Sequence, residues 1–512
     1  MARRSSRRSG NREKRVSAGL SQIPWQRVSN PNPPLEILTA DQIAMIHDAS
    51  MVVLEDVGMR VDCPRTRSLL AKHGNKVDEA ATHVWFDRGF VEERVAMAPS
   101  SFTVRARNPE RWLDYGGNHI IFASVGGPAF VNDRDRGRRP GTLAELKDGF
   151  RILQSLNACH FIYSEFFACL DRPVDQRHLD SLLACFTLTD KVPGASLLGR
   201  ARAQDAVNMA CIVHNTDAAG LANEPAVVGN INTNSPLVLD TEMAQGAWTF
   251  AENGQPVVIT PFTLSGAMSP ATIPGALVQQ NAEGLAGIAL LQTINPGTPS
   301  VYGTFTSNVD MKTGAPAFGT PEYVKATLAS AQLGRHYGLP VRASNTNASN
   351  VVDAQAAYES EMSLWACVMG HVNLVFHGLG WLEGGLTASF EKFILDAEMI
   401  QMLIETLKPL DIREETLGVA AIKEVGPGGH FFGAADTLSR YETAFYAPML
   451  SDWNNFENWE GNGGLTATDR AHRIWKDLLE AYEEPAMEPA IRDGLNDYVA
   501  RRKDEIANGA VV

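Results

Sequence analysis

The sequence predicts an α/β protein, a (β/α)8 TIM barrel with an N-terminal helical and antiparallel β cap and C-terminal helices, on three observations. Apolar strands recur from residue 142 onward at roughly constant spacing. Amphipathic helical stretches separate them. Seven such units in a row exceed what most open doubly wound sheets hold. The runs are CHFIYS at Cys159, GASLLG at Gly194, AVVGNIN at Ala226, PVVITPF at Pro256, SVYGTF at Ser300, LPVRASN at Leu339 and NLVFHG at Asn373. Their near-continuous apolar character marks parallel strands covered on both faces. The eighth strand is expected after Leu417, in VAAIKEVG.

The segments before and after the barrel follow a different rhythm. Thr39 caps a helix reaching Val57, and a second helix covers Arg65 to Lys72 and stops at Gly74. FTVRAR, WLDYGG, HIIFASVGG and AFVND then alternate with period two, which reads as short antiparallel strands. Two helices close the chain after Leu465, the first carrying Trp475 and Leu478 and the second Leu495 and Tyr498. The expected division is therefore a disordered basic tail over 1–34, a cap over 35–141, a catalytic barrel over 142–464 and C-terminal helices over 465–512.

Charge narrows the function. The formal net charge is -14, yet Met1 to Arg15 holds seven Arg and Lys against one Glu, so the remaining chain stands near -20. An acidic body argues against nucleic acid, whose phosphates need a basic face. No apolar run is long enough to span a membrane and none follows the basic tail as a signal peptide would require, so a cytoplasmic location is expected. The six cysteines show no CxxC spacing and sit mostly in apolar runs, as reduced core thiols do.

Barrel chemistry gathers at the C-terminal strand ends. There the sequence offers Ser164 and Glu165, Arg200, Asn230 with Asn232 and Asn234, Phe262, Phe305, Ser344 with Asn345 and Asn347, then His377, Trp381 and Glu383. No His-x-His or carboxylate cluster builds a metal site, so no bound metal is predicted. No GxGxxG turn opens a strand–helix unit, so no nucleotide is predicted either; GGPAF at Gly126 and GPGGH at Gly426 read as tight turns. Amides and aromatic rings together suit a bulky organic cation, which cannot donate a hydrogen bond and is held by ring faces.

Several long motifs carry a family resemblance. SNTNASNVVDAQ at Ser344, the helix AAYESEMSLWACVMG and NLVFHGLGWLEGGLTASFEKFILDAEM at Asn373 resemble the trimethylamine methyltransferase family, as do GRRPGTLAEL at Gly137, YGTFTSNVDMKTGAPAFGTPEY at Tyr302 and GPGGHFFG. The resemblance implies methyl transfer from an amine nitrogen to cobalt(I) of a corrinoid carried by a separate protein, and a homo-oligomeric assembly. Family members that carry pyrrolysine have it in the loop after the sixth barrel strand. Here 345–351 holds only standard residues, which points to the non-pyrrolysine branch and to quaternary amines such as glycine betaine. A quaternary ammonium leaves as a neutral amine, so no catalytic acid or base is assigned.

The candidate cation cage is Phe122, Phe262, Phe305 and Trp381. His377, Asn345 and Asn347 are the candidates for an anionic end, and Glu383 for a brace behind them. The competing readings are a non-catalytic betaine-binding protein on the same barrel, trimethylamine as the donor, and a metal-dependent barrel lyase or hydrolase.

Overall fold

The computed structural model describes residues 20–510. Eight parallel strands close on themselves: β1 (His119–Ser124), β2 (Phe161–Tyr163), β3 (Val192–Ser196), β4 (Val228–Thr233), β5 (Val257–Pro261), β6 (Ser300–Gly303), β7 (Val341–Ser344) and β8 (Leu374–Leu379). Closure is the pairing of β8 with β1, Leu374 opposite Ile121 and Val375 opposite Phe122. The chain is thus a (β/α)8 barrel.

The position of one strand corrects the sequence expectation. VAAIKEVG forms a short helix, Val419–Val425, and the missing strand is HIIFAS, which stands first rather than eighth. Its alternation was read as a cap strand because a short antiparallel pair, Ser101–Val104 with Leu113–Gly116, precedes it directly. The barrel therefore begins inside the 35–141 segment.

Strand parity divides the core. Ile121, Phe161, Val192, Val228, Val258, Val301 and Leu374 fill the lumen, while their sequence neighbours Phe122, Ile231, Ile259, Tyr302 and Val375 pack outward on the helices. Val104, Leu113 and Tyr115 of the antiparallel pair join the lumen cluster. That hairpin covers the N-terminal end of the lumen cluster.

Helices α1 (Ala40–Val52), α2 (Leu143–Ser155), α3 (Arg177–Leu188), α4 (Arg200–Val213), α5 (Thr241–Glu252), α6 (Ile273–Ile294), α7 (Pro321–His336), α8 (Ala354–Met369) and α9 (Phe390–Thr406) precede two C-terminal ones, α10 (Ala467–Glu480) and α11 (Pro489–Ala507). Thr39 and Thr142 each form a capping box, satisfying orphan donors at the starts of α1 and α2. α10 lies on α9 and α2, and α11 on α4 and α3.

The basic tail of Met1 to Arg15 lies outside the described residues. The rest of the expected disordered stretch, from residue 20 to 34, is packed instead. Val28 pairs with Ile120, Asn30 is fully buried and donates to the Val368 carbonyl at 2.9 Å, and Trp25 meets His160 edge-on. Its Pro-rich, polar composition concealed those three anchors.

All six cysteines are free, and burial pushes the thiols of Cys169, Cys185 and Cys367 up to about 12, leaving them protonated and inert. No helix among the described residues is long and apolar enough to cross a membrane.

Candidate active site

A cavity of about 450 Å³ opens at the C-terminal ends of the strands. Its floor is the layer above the apolar lumen: Tyr163 on β2, Asn230 on β4, Arg342 on β7 and Phe376 on β8, all on lumen-facing parity. Phe262, Phe305, His377 and Trp381 form the walls, and Gly126–Gly127 and 384–386 the rim.

The rings are mutually packed. Phe305 lies 5.0 Å from Phe262, 5.8 Å from Trp381 and 5.9 Å from His377 between centroids, and Trp381 is 4.3 Å from His377. Phe318 backs both Phe305 and Trp381. Trp381 is further fixed by reciprocal bonds with the 345–351 loop: its Nε1 donates to the Asn347 carbonyl at 3.0 Å and its own carbonyl accepts from Asn347 Nδ2 at 2.8 Å. Gly385, at φ +99°, allows this placement, because a Cβ there would stand 2.5 Å from the indole ring. Glu383 accepts from Arg138 Nε at 2.6 Å and Thr387 Oγ1 at 2.5 Å, tying the rim turn to the Phe130–Asp133 and Gly137–Pro140 hairpin.

β8 is irregular where the chemistry concentrates. Its pairing with β1 shifts between Val375 and Leu379, and His377 takes φ +56°. This kink turns two consecutive side chains, Phe376 and His377, toward the same cavity, which regular alternation forbids. GGPAF is part of the same device. The Gly126 N–H donates to His377 Nδ1 at 3.1 Å, and a Cβ on Gly126 would press on Tyr163 and Phe376.

Four sequence candidates lie elsewhere. Phe122 has no exposure and faces outward beside His160, since Ile121 and Ala123 take the inward parity of β1. Asn345 donates to the Gly378 carbonyl and to Asp396, behind the cavity wall, and Asn347 to Ser360 and Trp381. Both asparagines hold the wall and do not line the cavity. Arg200, read as a strand-end donor, opens α4 and lines a surface groove with Arg501 and Glu505 instead.

Beneath the wall lies a fully buried pair, Lys392 and Asp396, on α9. The ammonium also donates to Ser360 Oγ at 2.8 Å, and the carboxylate accepts from the Gly380 N–H at 2.7 Å and from Asn345. Burial pushes the lysine down and the carboxylate up, each opposed by the other's charge. The Gly380 bond sets the turn that delivers Trp381.

Sequence reasoning missed Tyr163, Phe376 and above all Arg342. The guanidinium is almost fully buried. Its Nη1 donates to the Thr304 carbonyl at 3.0 Å, Nη2 stands 3.2 Å from His377 Nε2, and Nε has no partner. Phe376 and Phe305 flank it at 4.9 and 5.2 Å. Burial lowers its pKa to about 10, still protonated at neutral pH, and together with Arg342 keeps His377 well below its ordinary value, so that imidazole is neutral. Among the described residues, none lining the cavity is a carboxylate. An arginine inside an otherwise apolar strand, LPVRASN, was the available signal.

Comparison with known proteins places the whole chain. The family model described as trimethylamine methyltransferase matches residues 3–507. A glycine betaine methyltransferase of Desulfitobacterium hafniense is 36% identical over 475 residues, 93% of this chain and 98% of that protein. A trimethylamine methyltransferase of the same species is 26% identical over 474 residues, 91% of this chain and 93% of its own length. A proline betaine:corrinoid methyltransferase of Eubacterium limosum is 26% identical over 476 residues, 89% of this chain and 96% of that one.

Proposed function

The chain belongs to the trimethylamine methyltransferase family, and from that premise we propose that it transfers a methyl group from a quaternary, betaine-like amine to the cobalt(I) corrinoid of a partner protein in the cytoplasm. The observation that carries this reading is a cavity at the C-terminal end of the barrel walled by Phe262, Phe305 and Trp381 and, among the described residues, lined by no carboxylate.

A quaternary ammonium has no N–H, and ring faces hold it at roughly 0.5 to 2 kcal/mol each. Its charge disappears as the methyl group departs. A carboxylate set against the ammonium would stabilise the bound substrate more than the transition state and slow the step. Rings avoid that penalty while excluding water. The C–N bond breaks with its electron pair remaining on nitrogen, and the amine leaves neutral, so no group in the wall has to deliver a proton. The corrinoid supplies the electron pair for the new bond. What this chain contributes is position: the cage, set by Gly385 and Asn347, presents one methyl group toward the open end.

The substrate is tested with a donor panel under anaerobic conditions, using chemically reduced cobalamin and ultraviolet–visible spectra. Methylcobalamin is expected from a betaine and not from trimethylamine. Transfer from trimethylamine alone contradicts the reading.

The corrinoid partner approaches the C-terminal mouth, where Leu386 on the rim is 53% exposed. A second surface fits another copy of this chain. From Leu410 to Phe445 every hydrogen bond among the described residues stays within the stretch. Leu410, Phe432 and Phe445 are each at least 85% exposed, and Tyr441, Trp453 and Phe456 are exposed as well. Large apolar rings left in water, each able to bury about 150 to 250 Å², suit a lasting contact between two copies better than a partner that must leave every turnover. The apolar residues of the C-terminal helices are not available for this contact, because Trp475, Leu478, Leu495 and Tyr498 are buried against their own barrel. Sedimentation velocity should show Phe432→Glu/Phe445→Glu one assembly step smaller than the wild type; an unchanged sedimentation coefficient excludes this surface.

A further inference from the structure

Arg342 is a positive charge enclosed by phenylalanine rings, and among the described residues no carboxylate lies within ion-pair reach of it. Such an isolation is costly, because a buried charge normally has a counter-ion. The neighbouring histidine sharpens the point. A neutral imidazole has one acceptor nitrogen, yet His377 is faced by two donors, the Gly126 N–H at Nδ1 and the Arg342 guanidinium at Nε2. Whichever nitrogen carries the proton, one N–H meets another. With Nδ1 serving Gly126, the Nε2–H and Arg342 Nη2–H both require an acceptor that the chain does not provide, and Arg342 Nε is unpartnered as well.

We propose that Arg342 and His377 form a carboxylate subsite where the floor of the cavity meets its wall, which makes the enzyme a filter for zwitterions with ammonium and carboxylate a single carbon apart. This rests on the methyl-transfer reading for what happens to the substrate, but not for how it binds. A carboxylate bridging Nε2–H and Nη2–H satisfies both donors and neutralises the arginine. The cage stands directly beside it: the Phe305 ring is 5.2 Å from the guanidinium carbon and 5.9 Å from His377, and Trp381 is 4.3 Å from His377. The two charged ends of the ligand must therefore be close together. A longer spacer moves the ammonium off Phe305 and Trp381.

The same arginine rejects ligands that are only cationic. A positive charge on the rings stands roughly 6 Å from Arg342, and at an effective dielectric of about 20 the repulsion is worth on the order of 100-fold in affinity. A ligand that brings its own carboxylate cancels it.

Calorimetric titration of the full chain, with no corrinoid present, tests this. Glycine betaine should bind at least 100-fold more tightly than tetramethylammonium and about 10-fold more tightly than γ-butyrobetaine. Arg342→Gln should weaken glycine betaine about 100-fold and strengthen tetramethylammonium by tens of fold. A misfolded variant cannot gain affinity, so the gain separates lost charge from lost structure. Equal binding of betaine and tetramethylammonium by the wild type overturns the proposal, as does an Arg342→Gln protein that keeps wild-type betaine affinity. Tight, Arg342-dependent betaine binding without methyl transfer would uphold the subsite and remove the enzymatic reading. Methyl transfer from tetramethylammonium as fast as from glycine betaine would do the reverse.

Discussion

A Phe305→Leu/Trp381→Leu protein should bind glycine betaine on the order of 100-fold more weakly than the wild type, with little change in fold. Leucine keeps an apolar wall but has no π face. Each ring face is worth roughly 0.5 to 2 kcal/mol to a desolvated ammonium, so losing two removes about 1 to 4 kcal/mol. The control is Trp381→Phe, which keeps a face and loses only the indole donor to the Asn347 carbonyl. It should retain binding within about tenfold. Titration distinguishes the accounts clearly. If the leucine variant binds as the wild type does, the walls serve only as apolar packing and the cage is wrong.

The second large effect is on stability. Lys392→Met should destabilise the protein by about 3 to 5 kcal/mol, since it leaves the Asp396 carboxylate buried without its counter-ion. Adding Asp396→Asn should restore much of that loss. An asparagine oxygen still accepts from the Gly380 N–H, and Asn345, whose Oδ1 is unpartnered, can turn its amide to accept from the new side-chain donor. Urea unfolding of the single and double variants measures the difference. A double variant no more stable than the single would mean that the pair is not held by charge compensation. Betaine affinity should recover in parallel with stability, because the Gly380 bond that Asp396 makes is what orients the turn into Trp381.

Much of this architecture was legible in the sequence, for reasons that also explain the errors. Parallel barrel strands are covered on both faces, so runs such as PVVITPF and NLVFHG stand out as uninterrupted apolar stretches. HIIFAS belongs to the same set, but it follows a genuine hairpin and no long helix precedes it, so its context pointed to the cap. VAAIKEVG has β-like composition and folds as a helix on the surface, where composition weighs little against local packing.

The site divides along similar lines. Phe262, Phe305, His377 and Trp381 were reachable because they follow strands whose ends are easily located. Phe122 fails on parity: one residue along a strand reverses the face, and the register of β1 was unknown. Asn345 and Asn347 sit at the right height in the barrel, but their amides are committed to Gly378, Asp396, Ser360 and Trp381. No spacing rule reveals which way such a side chain turns. Phe376 beside His377 contradicts alternation and needs the kink at φ +56°. Arg342 was visible as an anomaly, and its meaning emerges only from the absence of a carboxylate around it.

The measurement that bears most directly on methyl transfer uses glycine betaine with fully deuterated N-methyl groups, reduced cobalamin and mass spectrometry of both products. Intact CD3 should appear on cobalt in equal amount to the dimethylated amino acid, and its formation should fail with Phe305→Leu/Trp381→Leu. Dimethylated product without label on cobalt would mean that the methyl group leaves by another route, and would contradict a corrinoid methyltransferase.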